Sequence, residues 1–220
     1  MSNELATLDL TQLPSHAVTA DQRAMKEVTS AGNYLPYLQI LGSNTKACKS
    51  GEQPIGTWGL TRDKKIQNLG KAVTVILLSW RPKAMQYDPV EAHYKVDSPK
   101  FQDIKNRADQ PNSGVGFGPE FLVWLPDHSC FATMFFGNKT ARREAAVTME
   151  VLKTPTRQCQ IAVELIETKQ YSWHGPKTRV YGTQITNLPP RDEALLWLEK
   201  FNNPPESEIE EVEAATPERG

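Results

Sequence analysis

The segment KAVTVILLSW, residues 71–80, restricts the fold more than any other part of the chain. It is rich in β-branched residues and apolar at successive positions, so a strand formed from it would bury both of its faces. Such a strand belongs in the middle of a sheet. Its apolar run covers residues 72–78 and is far shorter than the about 20 residues that a membrane-spanning helix needs. We therefore expect a β-rich protein that does not cross a membrane and resides in the cytoplasm.

Other segments have the short length and the Gly, Pro, Asn and Ser boundaries that are typical of strands. The two segments on either side of PDHS predict a hairpin with a four-residue connection. The predicted strands are 36–41, 55–60, 120–125, 130–136, 158–168 and 177–186.

Two helices are predicted in the second half of the chain. Residues 138–153 have apolar side chains at helical spacing, and Asn138 can cap the first turn. Residues 189–201 begin with prolines and carry a cluster of Leu and Trp. Strands interrupted by one helix and closed by another predict a mainly β protein with helices (α+β). The leading architecture is an OB-like antiparallel barrel of about five or six strands, and an α+β sheet with helices on one face is the alternative.

The predicted domain covers residues 34–203, between two segments of different composition. Residues 1–33 are polar and aperiodic, which indicates an N-terminal arm. Within the domain, residues 81–118 contain several Pro and Gly and no sustained period, which predicts a long loop insertion. Residues 204–220 contain six glutamates and one arginine, and this composition predicts a disordered acidic tail.

The acidic tail hides the charge of the rest of the protein. The formal net charge of the chain is −1, whereas residues 1–203 alone carry +4. A tethered polyanion beside a mildly basic domain can compete with a nucleic acid for a cationic site. Deleting the tail should then tighten binding of a single strand.

Motifs for catalysis are weak in this sequence. Residues 114–118, GVGFG, precede a proline and a strand instead of the helix N-terminus that a phosphate loop needs. No Gly-x-Ser-x-Gly motif is present, and three cysteines without a CxxC pair indicate neither a disulfide framework nor a zinc site. We expect a protein that is not an enzyme and has no cofactor or metal. The remaining enzymatic alternative is a metal-dependent nuclease that uses four acids of the insertion, Asp88, Glu91, Asp97 and Asp103.

Aromatic and basic residues, in contrast, recur together near the ends of the predicted strands. Single-strand binders combine stacking rings with a basic groove, so these clusters predict a nucleic-acid interface. In KTRVYGT, the alternation of a strand puts Lys177, Arg179 and Tyr181 on one face. The predicted stacking residues are Trp58, Trp80, Tyr171, Trp173 and Tyr181, and the predicted phosphate contacts are Arg62, Lys64, Arg81, Lys83, Lys177 and Arg179. The alternatives are that Trp80 ends a core strand and that residues 177–181 form an ordinary solvated face.

Several segments together resemble phage-encoded single-stranded DNA-binding proteins of the OB-fold type. They are LPYLQIL, VILLSWRPKAMQYD, GNKTARREAAVTMEVL and the late pair IAVELIET and GPKTRVYGTQIT, within residues 34–187. The resemblance implies a protein of the host-cell cytoplasm that coats single-stranded DNA in replication or recombination. It also implies that the acidic tail contacts replication or recombination proteins, although this tail ends in TPERG and not in an aromatic tip.

The sequence thus predicts a non-enzymatic single-stranded DNA-binding protein. A β-rich protein-interaction module or virion component is the main alternative, in which the same aromatic residues would form a protein interface.

Overall fold

A computed structural model describes residues 35–43, 45–110, 112–152, 158–167, 172–180 and 187–204. The predicted arm, residues 1–33, and nearly all of the predicted acidic tail lie outside these residues. Within the described helices, none is long and apolar enough to span a bilayer.

The described residues contain nine strands, which form a single sheet. They are β1 (Tyr37–Leu41), β2 (Thr57–Arg62), β3 (Lys65–Gly70), β4 (Ala72–Tyr87), β5 (Val90–His93), β6 (Val115–Leu125), β7 (Cys130–Phe135), β8 (Gln158–Glu167) and β9 (Ser172–Val180). Four helices accompany them: α1 (Lys46–Lys49), α2 (Pro99–Arg107), α3 (Lys139–Leu152) and α4 (Arg191–Asn202).

The strands follow the order β3-β2-β1-β7-β6-β4-β8-β9, and β5 pairs with the far end of β4. The sheet curls into an open half-barrel, in which β1 approaches β9 and the His174 ring lies against Gly56. All the strand pairs are antiparallel except β1 with β7, which is parallel. The prediction of a mainly β fold with an interposed and a C-terminal helix is confirmed. The expected five- to six-stranded, wholly antiparallel barrel is wrong in strand number and in the β1–β7 pairing.

β4 is the central strand that its composition predicts, because it pairs with β6 along one edge and with β8 and β5 along the other. Val73, Val75 and Leu77 point into the main core, while Ile76 and Leu78 point to the opposite face. A bulge between Leu77 and Ser79 interrupts the register with β6. Both faces of the strand are therefore buried.

The main core fills the concave face of the sheet. Side chains from both halves of the curl, such as Leu38 of β1 and Ile161 of β8, belong to the same buried cluster. α3 closes this cluster with Ala141, Ala145 and Leu152. The predicted cap of α3 is confirmed, because Asn138 Oδ1 accepts a hydrogen bond from the Ala141 amide at 2.8 Å.

α4 covers part of the convex face. Trp197, Leu198 and Phe201 pack there on side chains of the central strands, including Trp124 and Phe131. The sheet is thus covered by α3 on one face and by α4 on the other. Among the described residues, the convex cluster under α4 includes no residue of β9 or of the far end of β4.

The prediction of a loop over residues 81–118 is wrong. These residues form the second half of β4, then β5, α2 and the start of β6. α2 begins at a Ser-Pro pair, where Ser98 Oγ accepts a hydrogen bond from the Phe101 amide at 3.2 Å, and it buries only Phe101 and Ile104. Two apolar residues give too weak a period to predict a helix, although the Ser-Pro start is a typical N-terminal signal.

β3 was not predicted either, because its turn is unusual. Asp63 and Lys64 connect β2 to β3 with φ values of 48° and 62°. Such a two-residue turn favours Asn-Gly or Asp-Gly. Because Lys64 occupies its second position, the sequence lacks the turn signal from which the hairpin could have been predicted.

We predict that Gly118→Ala lowers the free energy of unfolding by about 2 kcal/mol or more, because overpacking a rigid site is destabilising. A methyl group on Gly118 would collide with the backbone carbonyl oxygen of Phe136, which cannot rotate away. Gly42→Ala is the matched control, since nothing lies within 4 Å of the methyl group that it adds. Urea unfolding of both variants checks this, and equal stability of the two would contradict the packing described for β6.

Candidate nucleic-acid interface

Trp58 is a core residue. Its side chain is 1% exposed and packs with Leu38 and Leu60 in the concave cluster. The prediction that Trp58 stacks on a base is therefore wrong, since the ring presents no face to solvent.

Trp80 lies on the opposite sheet face from the two cations that follow it. β4 continues as a strand through residue 87, so its side chains alternate. Trp80 is half-buried against the concave core, whereas Arg81 and Lys83 point to the convex side. The predicted cluster of Trp80, Arg81 and Lys83 on one surface is therefore not formed, and the alternative that Trp80 ends a core strand fits its packing.

Arg81 and Lys83 converge on a single buried carboxylate, Glu120 of β6. Arg81 Nε lies 2.7 Å from Glu120 Oε2, and Lys83 Nζ lies 2.9 Å from Glu120 Oε1. Lys83 and Glu120 are each 1% exposed, and Arg81 is 12% exposed. The predicted role of these two cations as surface phosphate contacts is wrong, because both are engaged inside the protein.

The charges of this cluster determine the protonation of Glu120. Burial alone would raise the pKa of the Glu120 carboxyl, but the positive charges and hydrogen bonds of Lys83 and Arg81 outweigh that effect and lower the pKa. Glu120 is therefore an anion at neutral pH and holds β4 to β6 through an ion pair at each of its oxygens.

Arg81 also joins β4 to the end of α4 and to the chain after β5. Its Nη1 donates a hydrogen bond to the Phe201 carbonyl oxygen at 2.7 Å. The guanidinium carbon lies 4.3 Å from the centre of the Phe201 ring and 3.8 Å from the centre of the Tyr94 ring. Arg81 thus bridges two aromatic rings that belong to different elements.

Three half-buried aromatic residues lie on the convex side around these cations. The Lys83 ammonium is 5.8 Å from the Tyr94 ring centre and 5.5 Å from that of Phe135. The Tyr87 hydroxyl and the Phe135 ring meet above Gly116, where a methyl group would lie 2.5 Å from the hydroxyl oxygen and 3.3 Å from the ring. We call Arg81, Lys83, Tyr87, Tyr94 and Phe135 the aromatic–cationic face.

The predicted alternation along β9 is confirmed for the described residues. Lys177 and Arg179 are 50% and 60% exposed, while Thr178 between them is buried. Lys177 is opposite Ala162 in the register of the β8–β9 pair, and Ala162 lies on the reverse side of β8 from the core residue Ile161. These two cations therefore occupy the same convex side of the sheet as the aromatic–cationic face, beyond α4.

α3 fixes the position of this strand from the concave side. Glu144 Oε1 accepts a hydrogen bond from the Thr178 amide at 2.6 Å, and the hydroxyls of Thr148 and Thr178 are 2.7 Å apart. Glu144 Oε2 is also 3.5 Å from Lys177 Nζ. Because β9 ends the path of strands, these contacts satisfy part of an edge that no further described strand covers.

The remaining predicted site residues are dispersed or lie outside the described part. Arg62 and Lys64 are exposed at the β2–β3 turn. Trp173 lies in β9, but its side chain falls outside what the structure describes. Tyr171 and Tyr181 are also outside the described residues.

The acids of the nuclease hypothesis do not converge. Glu91 forms an ion pair with Lys100 at 2.6 Å, and Asp103 forms one with Arg107 at 2.7 Å. Among the residues that the structure describes, no group of three or more His, Cys, Asp or Glu side chains is arranged to hold a metal ion.

Sequence reasoning did not select Glu120, Tyr94 or Phe135. Phe135 and Phe131 are four residues apart in β7 and therefore share one face of the strand. Phe131 packs under α4 on that face. Period-two alternation carried across the predicted hairpin would have put Phe135 on the outer face. Tyr94 stands beside a base in HYK, residues 93–95, but its position next to Arg81 depends on the unpredicted strand β5.

We predict that Glu120→Gln lowers the free energy of unfolding at pH 7 by about 3 kcal/mol or more, because it removes the charge that faces two buried cations. Because the pKa of Glu120 is lowered in the folded protein, the stability that its charge contributes depends on pH. This contribution is fully present above the ordinary carboxyl pKa of 4.5, and it is lost as the pH falls through the lower pKa of the folded protein. Denaturant unfolding from pH 7 to pH 3 should therefore show less acid destabilisation in the variant than in the wild type.

Glu52→Gln, which changes an exposed carboxylate, should leave stability within about 0.5 kcal/mol. Parallel pH profiles of the wild type and Glu120→Gln would contradict the ionised state that we assign to Glu120.

Comparisons of the chain with protein-family models, with curated proteins and with solved structures found no match.

Proposed function

We propose that this protein is a non-enzymatic single-stranded DNA-binding protein of the OB type that coats DNA in phage replication or recombination. The observation that carries the proposal is the aromatic–cationic face, where half-buried rings adjoin two cations on the convex side of a curled sheet. An OB-type barrel binds oligonucleotides across one face of its strands, and the aromatic–cationic face lies on β4 and β7 and on the chain after β5.

The bound bases would stack on Tyr87, Tyr94 and Phe135. Stacking is tolerant of sequence because every base has a flat π face, and each stacked base contributes about 1–3 kcal/mol. Arg81 and Lys83 together carry one more positive charge than Glu120 neutralises, and this residual charge beside the rings favours a polyanion over an apolar partner.

Lys177 and Arg179 would hold phosphates further along the same strand. They lie on the same convex side, they are at least half exposed, and their acidic neighbours Glu144 and Glu164 are 3.5 Å away. The Arg179–Glu164 pair is exposed at both side chains, and such pairs contribute little to stability, so Arg179 can exchange its carboxylate for a phosphate. The Lys177 side chain is half exposed beside Glu144, which is 10% exposed, and it would contact a phosphate from the solvent side. Arg62 and Lys64 offer further contacts at the β2–β3 turn.

We expect labelled oligo-dT to bind with an affinity that falls as salt rises, as measured by fluorescence anisotropy at about 50 mM and about 200 mM salt. Two variants separate the two kinds of contact. Phe135→Leu removes a stacking ring and should weaken binding by about fivefold or more at an unchanged salt slope. The double variant Lys177→Gln and Arg179→Gln should lower the salt slope by up to about 1.4, because each phosphate contact on a single strand contributes about 0.7.

Lys46→Gln with Lys49→Gln is the matched control, because it removes the same charge from α1, outside the sheet. It should leave the slope nearly unchanged. If the wild type shows no rise in anisotropy at low salt, the proposal fails. A stable oligomer that ignores DNA would instead favour a protein-interaction module or virion component.

A further inference from the structure

Arg81 connects the last turn of α4 to the aromatic–cationic face through a short chain of contacts. Its guanidinium carbon is 4.3 Å from the Phe201 ring centre and 3.8 Å from the Tyr94 ring centre. Stacking of a guanidinium on an aromatic ring is favourable and depends on the planar shape of both groups. Two cation–π contacts therefore link Phe201, Arg81 and Tyr94 in one chain of contacts.

The Phe201 end of this chain of contacts is held in place by packing and hydrogen bonds. Phe201 is 3% exposed in the convex cluster. Arg81 is held by Glu120 at 2.7 Å and by the Phe201 carbonyl oxygen at 2.7 Å. The guanidinium therefore has three independent constraints: a carboxylate, a backbone carbonyl and a ring.

The Tyr94 end of this chain of contacts touches the guanidinium directly. Tyr94 follows the last residue of β5. Its ring is half-buried and contacts the guanidinium on which Phe201 also packs. The orientation of the Tyr94 ring is thus coupled to the position of α4.

We infer that Phe201 is a positioning residue for base binding: through Arg81, it sets the orientation of the Tyr94 ring on which a base of the single strand stacks. This inference rests on the proposed function. A preorganised ring binds more tightly, because the entropy of ordering it is not lost on binding. Phe201 would act in this way although it does not touch the DNA.

Phe201→Leu isolates the ring, because the backbone carbonyl that accepts from Arg81 is kept. The variant should weaken oligo-dT binding by about three- to thirtyfold, the range that corresponds to one cation–π contact. The salt slope should stay the same, since no phosphate contact is lost. The NMR resonance of the Arg81 Nε–H should also shift, because an aromatic ring beside it is removed.

Leu198→Ala is the matched control, since Leu198 packs in the same convex cluster from the same helix. It should lower the thermal unfolding midpoint at least as much as Phe201→Leu does, yet change oligo-dT affinity by less than about twofold at temperatures where both variants are folded. Arg81→Lys keeps the charge but not the flat guanidinium, so it should weaken binding as Phe201→Leu does, again at an unchanged salt slope.

Failure of the positioning role and failure of the proposed function give different binding results. If the wild type binds and Phe201→Leu binds equally well, or if Leu198→Ala weakens binding to the same extent as Phe201→Leu, the positioning role is wrong and the proposed function stands. If the wild type does not bind oligo-dT, the proposed function is wrong and this inference falls with it.

Discussion

The ion pairs of Glu120 with Arg81 and Lys83 are the interaction on which this side of the sheet depends. A carboxylate and an ammonium that are each 1% exposed are stable only when both remain charged and close together. That requirement fixes the register of β4 against β6, where Arg81 is opposite Glu120. It also positions the Arg81 guanidinium for its hydrogen bond to the Phe201 carbonyl oxygen and its contact with the Tyr94 ring.

The cluster explains why two basic residues at the end of an apolar strand do not form a simple surface patch. In the sequence, Arg81 and Lys83 follow Trp80 and flank Pro82, which resembles the exit of a strand into a polar loop. In the structure, β4 continues to Tyr87 and the two cations find their carboxylate on the neighbouring strand. The rings that surround them gain their positions from the same pairing.

Local signals predicted the elements whose causes are local. The apolar run of β4, the cap at Asn138 and the alternation of Lys177, Thr178 and Arg179 each act within a few residues, and each is found in the structure. The site depends on contacts between distant segments. Glu120 lies 39 residues from Arg81 along the chain, and Trp58 is buried because a sheet curls over it. No pattern within a short window contains that information.

The convex side of the sheet carries two groups of residues for the proposed DNA path. The rings and the buried cations lie at the far end of β4, where Arg81 contacts Phe201 in the last turn of α4, and the exposed cations Lys177 and Arg179 lie on β9. A single strand that reached both groups would gain affinity from stacking at the first and from phosphate contacts at the second.

The site of base stacking can be located by photo-cross-linking the wild type to oligo-dT that carries 5-iodouracil, followed by peptide mass spectrometry. We predict that adducts concentrate on Tyr87, Tyr94 and Phe135 and disappear when excess unlabelled oligo-dT is added. Competed adducts confined to other surfaces would show that the bases stack away from the aromatic–cationic face.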